Sequence, residues 1–169
     1  QRNTKNMGKF NARILAEFMP PREWVLGREL SYTTQDLTAD ECRDLQAVGI
    51  KGIVLERDTN KTETITVPVG FTTDLASTPR TLWALIAPFD IARAAIIHDL
   101  LYKTIRQYRW GNDNVDMELV KRAKKASDKV FKLAMADSTP PAKKWKQWAA
   151  WKAVDMFGHS SIVPNKDNV

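Results

Sequence analysis

Residues 91–108, IARAAIIHDLLYKTIRQY, constrain the fold more than any other stretch. Read at helical spacing, the segment is apolar on nearly every side from Ile91 to Leu101. A helix without a polar face has to be covered all round, so it belongs in the middle of the molecule. His98 and Asp99 sit side by side in its middle. Each then needs a partner or a water-lined cavity, because an unpaired buried charge is expensive.

The cover comes from both halves of the chain. EWVLGRELSYTT (23–34) and KGIVLERD (51–58) are rich in aromatic and β-branched residues, and TETITVPVGF alternates Thr62, Thr64 and Thr66 with Ile65 and Val67. DTNK between the last two suits a turn, which predicts a hairpin over 51–69. In TADECRDLQAVGI, Thr38 can cap a short helix running through Leu45. Beyond residue 76 the pattern turns helical. Ser77 or Thr78 can cap ASTPRTLWALIAP, Pro79 suits its first turn and Pro88 stops it. Asp90 can cap the apolar helix that follows, and GND separates that helix from 114–137, where Val115, Leu119, Ala123, Ala126 and Val130 keep helical spacing. STPP separates this in turn from AKKWKQWAAWKAVDMFG. The expected fold is α+β, a small antiparallel sheet in the N-terminal half followed by about four packed helices.

A length of 169 residues, 43% hydrophobic and 27% charged, fits one domain able to bury a core without disulfides. Residues 1–9 are expected as a flexible N-terminal segment, 10–158 as a single α+β domain and 159–169 as a C-terminal tail. Cys42 is the sole cysteine and has no second thiol for an internal disulfide or a thiolate metal site. The chain starts at Gln1, as a processed or trimmed product would, and that start lacks the apolar core of a signal peptide. No apolar run reaches the roughly 20 residues of a membrane span. The net charge of +6 is concentrated among the lysines and arginines of residues 103–152. A solvated helix face explains them, and an acidic partner is the alternative; nucleic acid is not favoured, since lysine outnumbers arginine and no recognition motif accompanies it.

Trp145, Trp148 and Trp151 recur every third residue among Lys144, Lys146 and Lys152. On a helix the three rings cover a band about 120° wide. It continues through Ala149, Ala153 and Met156, which predicts a packed final helix with at least two of the three indoles mostly buried.

The chemistry that exceeds what folding requires centres on VPVGFTTDLASTP and IIHDLLY. Tyr102 lies one turn after His98 on the same side, Asp74 sits in a strand-to-helix loop, and Asp128 interrupts the next helix between Ala126 and Val130. An imidazole with three carboxylates suits Zn²⁺, Mn²⁺ or Mg²⁺. Asp74, His98, Asp99 and Asp128 would then be the metal ligands, and a metal with open positions would activate water for hydrolysis. Asp74, His98, Asp99 and Tyr102 are the candidate catalytic groups, with Thr73 and Ser77 as loop and helix-cap support. The same residues have a folding explanation. Asp74 can close an Asx turn, Ser77 can be only a cap, His98 can be a core histidine held by Asp128, and Asp99 can pair with Lys103. A Ser77–His98 nucleophilic pair is disfavoured, because no glycine-framed elbow surrounds the serine.

VPVGFTTDLASTPRTLWALIAP followed by AAIIHDLLY resembles domain-of-unknown-function family 1353, a family of phage and prophage proteins whose pattern runs V-P-x-G-F-x-T-D-x-A-S-x-P-x-x-x-W, then A-A-x-x-H-D-x-L-Y. The resemblance extends over 22–158. EWVLGRELSY looks like the family's opening strands, SDKVFKLAM resembles its A-D-x-x-F segment with Ser127 in place of Ala, and Phe157–Gly158 matches its ending. Thr73, Asp74, Ser77, Pro79, Trp83, His98, Asp99, Tyr102 and Asp128 occupy motif positions. The resemblance implies a phage or prophage setting, other phage proteins as partners, and residence in the host cytoplasm during phage production or in the virion. It implies no reaction. Two functions are compatible with it: a small metal-dependent hydrolase acting on a cell-envelope or nucleic-acid bond, and a non-enzymatic virion or assembly component whose His–Asp cluster is a structural hydrogen-bond network.

Overall fold

Alternation of threonine with branched apolar residues puts Ile65 and Val67 on one side of a strand and Thr64 and Thr66 on the other. In the computed structural model, which describes residues 8–21, 23–51, 63–73 and 88–169, both apolar residues are buried. Their strand, β5 (Glu63–Val67), pairs antiparallel with β4 (Leu30–Thr34) in the register Tyr32↔Ile65. On the outer side the hydroxyls of Ser31 and Thr66 meet at 3.0 Å and those of Thr33 and Thr64 at 2.9 Å. Burying each aliphatic side chain on the inner side contributes roughly 1.5–3 kcal/mol.

Among the described residues the strands form two three-stranded antiparallel sheets. The first has the order β1 (Lys9–Phe10), β4, β5; the second has β2 (Ala16–Met19), β3 (Glu23–Leu26), β6 (Thr72–Thr73). The chain therefore leaves the first sheet after β1, returns to it at β4, and leaves again after β5. The two later crossings are tied together, Leu26 donating its N–H to Phe71 O at 3.0 Å and Gly70 donating to Leu26 O at 2.7 Å. The turn Pro68–Phe71 closes through Phe71 N–H to Pro68 O, with Gly70 at φ +80, the left-handed value that glycine adopts without strain.

Helix α1 (Ala39–Ala47) starts where expected. Thr38 accepts from the Glu41 amide at 3.2 Å and Glu41 accepts from the Thr38 amide at 2.8 Å, a reciprocal cap that contributes about 1 kcal/mol. Cys42 and Leu45 are its buried face.

Three long helices follow among the described residues: α2 (Pro88–Trp110), α3 (Met117–Asp137) and α4 (Lys144–Ser161). Helix α2 packs against β4, β5 and α3, and α3 packs against α1, α2 and α4. Ile91, Ala94, Ile96, Ile97 and Leu101 are buried, as the lack of a polar face requires. Two local expectations are corrected. Pro88 and Asp90 lie inside α2, so Asp90 is not its cap; proline fits a first helical turn, where its missing N–H is not needed. Asp116 caps α3, accepting from the Glu118 and Leu119 amides.

The third correction concerns the tryptophans. Trp145 and Trp148 are exposed, at 53% and 62%, and Trp151 is half-buried beneath the Lys132 ammonium, 4.6 Å from its ring centre. Helix α4 instead turns Ala150, Ala153 and Val154 inward. Small side chains and Gly158 let it approach its neighbours closely, and that leaves no depth for an indole. The helix runs on to Ser161, Ile162 is buried, and Arg106 and Arg109 of α2 donate to the carbonyls of Ser161, Ile162 and Asn168, which ties those three residues to α2. The 52–62 part of the expected hairpin, the helix predicted from Ser77 to Pro88 and residues 1–7 fall outside the described residues.

Candidate functional site

Spacing on α2 puts Tyr102 one turn after His98, and spacing on α3 puts Lys124 one turn before Asp128. The two pairs meet between the helices. Tyr102 donates its hydroxyl to Asp128 Oδ1 at 2.7 Å, and His98 Nε2 lies 3.0 Å from the same oxygen. Lys124 Nζ lies 2.6 Å from Asp128 Oδ2 and 3.3 Å from the Val154 carbonyl of α4. An ionised carboxylate only accepts, so the proton on His98 sits on Nε2. The imidazole ring packs at a tilt against Tyr102 and Phe131, with centroids 4.0 and 4.8 Å away and ring planes inclined by 45° and 36°.

All four polar side chains are buried, His98 at 2% exposure and Tyr102 at 0%. Burial alone would push the Asp128 carboxyl up. The bonds from His98, Lys124 and Tyr102 outweigh it and hold the group below the usual carboxylate range. Burial, and then the Asp128 charge beside it, drive the Tyr102 phenol well above its ordinary value, so it stays a donor. Lys124 supplies the positive charge that balances Asp128 in a medium where neither could be left alone.

A glycine from a third helix closes the site. A Cβ on Gly158 would stand 2.2 Å from the Tyr102 hydroxyl oxygen and 3.1 Å from Lys124 Cε. The network therefore joins α2, α3 and α4 at one point, and any larger residue at 158 would displace it.

Of the residues singled out in the sequence, His98, Tyr102 and Asp128 are brought together. Asp99 is buried, yet the hydrogen bonds to Asp128 come from His98, Tyr102 and Lys124. Thr73 is buried at the end of β6, paired with Trp24. Asp74 and Ser77, and with them the expected approach of Asp74 to His98, lie outside the described residues. Lys124 and Gly158 also belong to the network; the sequence places Lys124 only among the basic residues of 103–152 and Gly158 only in the family-like ending. Lys124 was legible in principle, because Lys124, Asp128, Phe131 and Met135 repeat at helical intervals and all are buried.

Among the described residues no group of three or more His, Cys, Asp or Glu side chains is placed to hold a metal ion. Both oxygens of Asp128 already accept, Oδ1 from Tyr102 and His98 and Oδ2 from the Lys124 ammonium. No helix of the described residues is long and apolar enough to cross a membrane.

A family model described as Protein of unknown function (DUF1353) matches residues 52–154. That span contains His98, Tyr102, Lys124 and Asp128 and ends on Val154, whose carbonyl faces Lys124. No curated protein and no solved structure matches the chain.

Proposed function

The chain belongs to the DUF1353 family, whose description assigns no activity, and we propose from its geometry that it is a non-enzymatic component of a phage or prophage particle, or of its assembly. In this reading His98, Tyr102, Lys124 and Asp128 form a lock that fixes three helices and presents the rest of the surface to other phage proteins. The observation that carries it is the saturation of Asp128: both oxygens accept buried donors, and its charge is already balanced. A carboxylate held by three buried donors is costly to redirect toward a substrate or an ion.

Metal analysis of the purified protein and of His98→Ala tests the reading, together with urea unfolding of both. A protein without stoichiometric metal whose variant unfolds at lower urea supports the lock. A stoichiometric metal that disappears in the variant overturns it.

One observation favours the second reading, a metal-dependent hydrolase. Among the described residues the His98 ring is hydrogen-bonded through Nε2 alone, and Asp99 is buried next to it in sequence. Nδ1 of His98 with Asp74 and Asp99 would then hold a divalent ion and Asp128 would orient the imidazole, as outer carboxylates orient metal-bound histidines. Metal uptake that weakens on acidification, as ligands take up protons, is the outcome this reading requires.

A further inference from the structure

Helix α4 has two faces of different character. Ala150, Ala153 and Val154 point into the domain, whereas Trp145, Trp148, Lys152 and Met156 fall within about 80° of arc on the opposite side. Met156 is 57% exposed, like the two indoles. Lys143 and Lys144 are exposed at the start of the same helix. Three large apolar side chains are thus held outward by a helix whose inner face is anchored, within a rim of lysines.

We propose that this outer face of α4 is a peripheral docking surface for an anionic lipid bilayer. Charge complementarity selects the sign of the partner: Lys143 and Lys144 are exposed at the start of the helix and Lys152 lies within the outer arc, against Asp155, which lies 3.6 Å from Lys152 Nζ. The indoles select its kind. An indole joins an apolar body to one polar N–H, which suits the boundary between headgroups and acyl chains. Lysine stems can lie along that boundary with their ammonium groups among the phosphates. A helix lying in the interface buries Trp and Met in this manner without crossing the membrane.

Single-stranded nucleic acid shares the charge but fits less well. Base stacking needs open ring faces, and Lys146 Nζ stands over Trp145, 5.9 Å from its centroid, while Lys132 and Lys152 stand over Trp151. The directions of Trp145 and Trp148 also diverge by about 60°, so they form no continuous platform. In a bilayer each ring acts alone and divergence costs little.

The test uses the full chain and its Trp145→Ala/Trp148→Ala variant. Both are sedimented with vesicles of phosphatidylcholine alone or with about a third phosphatidylglycerol, at low and high salt. The expected result is partitioning onto the anionic vesicles that rises about fivefold per lysine engaged, weakens with salt, and brings a blue shift of tryptophan emission. The double variant, which keeps the wild-type circular dichroism because both rings are exposed, loses the binding and the shift. Equal partitioning onto neutral vesicles, no partitioning, or a double variant that binds like the wild type overturns the proposal. So does a mixed-sequence single-stranded oligonucleotide that binds through the two indoles while vesicles do not.

Discussion

Helix α3 carries two buried carboxylates, Asp128 in its middle and Asp137 at its last residue, and they are built alike. Each accepts a buried tyrosine hydroxyl, Asp128 from Tyr102 at 2.7 Å and Asp137 from Tyr32 at 2.6 Å. Each also has a glycine pressed against the pair. A Cβ on Gly8 would stand 2.6 Å from both Asp137 Oδ2 and the Tyr32 hydroxyl, as one on Gly158 would crowd Tyr102. The difference is what they join. Asp128 ties helix to helix to helix and faces an ammonium, whereas Asp137 ties the end of α3 to strand β4 and, through the Gly8 amide at 3.1 Å, to the start of the described chain. Phenol, carboxylate and glycine thus serve as one device at two seams, and at the helical seam Lys124 and His98 join it.

The largest expected effect breaks that added part. Lys124→Met leaves Asp128 buried without its counter-charge and should cost about 3–5 kcal/mol in urea unfolding. Asp137→Asn keeps an acceptor for Tyr32 and Gly8 and should cost about 1–2 kcal/mol. Adding Asp128→Asn to Lys124→Met should recover part of the loss, and a double-mutant cycle reads the coupling. If Asp137→Asn proves as damaging as Lys124→Met, the two seams do not differ in the way described.

Next come the glycines. Gly158→Ala and Gly8→Ala should each cost about 1–3 kcal/mol by overpacking a tyrosine–aspartate pair. Gly70→Ala meets nothing within 4 Å and should cost only about 1 kcal/mol, from its positive φ.

Acid and alkali probe the helical seam from opposite ends. Because the folded state holds the Asp128 carboxyl below its unfolded value, its contribution is fully present above about pH 4 and is lost as pH falls through the folded value. Tyr102 has the opposite sign: its raised folded value gives stability that is present below about pH 10 and declines above it. Urea midpoints measured against pH should therefore fall at both ends, with Asp128→Asn flattening the acid limb and Tyr102→Phe the alkaline one. The smallest effect belongs to Trp145→Ala and Trp148→Ala, each expected within about 0.5 kcal/mol, since neither ring is part of the core.

Much of this was legible wherever the signal is local. The Thr38 cap, the Ile65/Val67 alternation and the Leu119–Val130 spacing depend on neighbours within a turn or a strand, and each was readable. The pairing of His98 with Asp128 was legible only as one of two alternatives, because spacing gives a residue's direction but not what waits there. Lys124 looked like one more cation on a basic face; its burial depends on how close α4 comes, and that depends on Ala150, Ala153 and Gly158. The tryptophans misled for the same reason: their size argued for the core, but the distance between α3 and α4 is set by the small residues. The division into two sheets was not legible, since it rests on pairings such as Trp24↔Thr73 between residues far apart in sequence.

That crossing of the chain between sheets also sets an order of events as the protein is made. β3 gains its neighbour β6, and β4 its neighbour β5, only when residues 63–73 have been delivered. Pairings this distant in sequence must first meet the entropy of closing a long loop, whereas each helix can form from its own residues. Until residues 63–73 are delivered neither sheet can be complete, and a two-stranded β2–β3 hairpin or a nine-residue α1 is marginal on its own. The two hydrogen bonds between Leu26 and the Gly70–Phe71 turn tie the sheets together at the corner where those residues arrive.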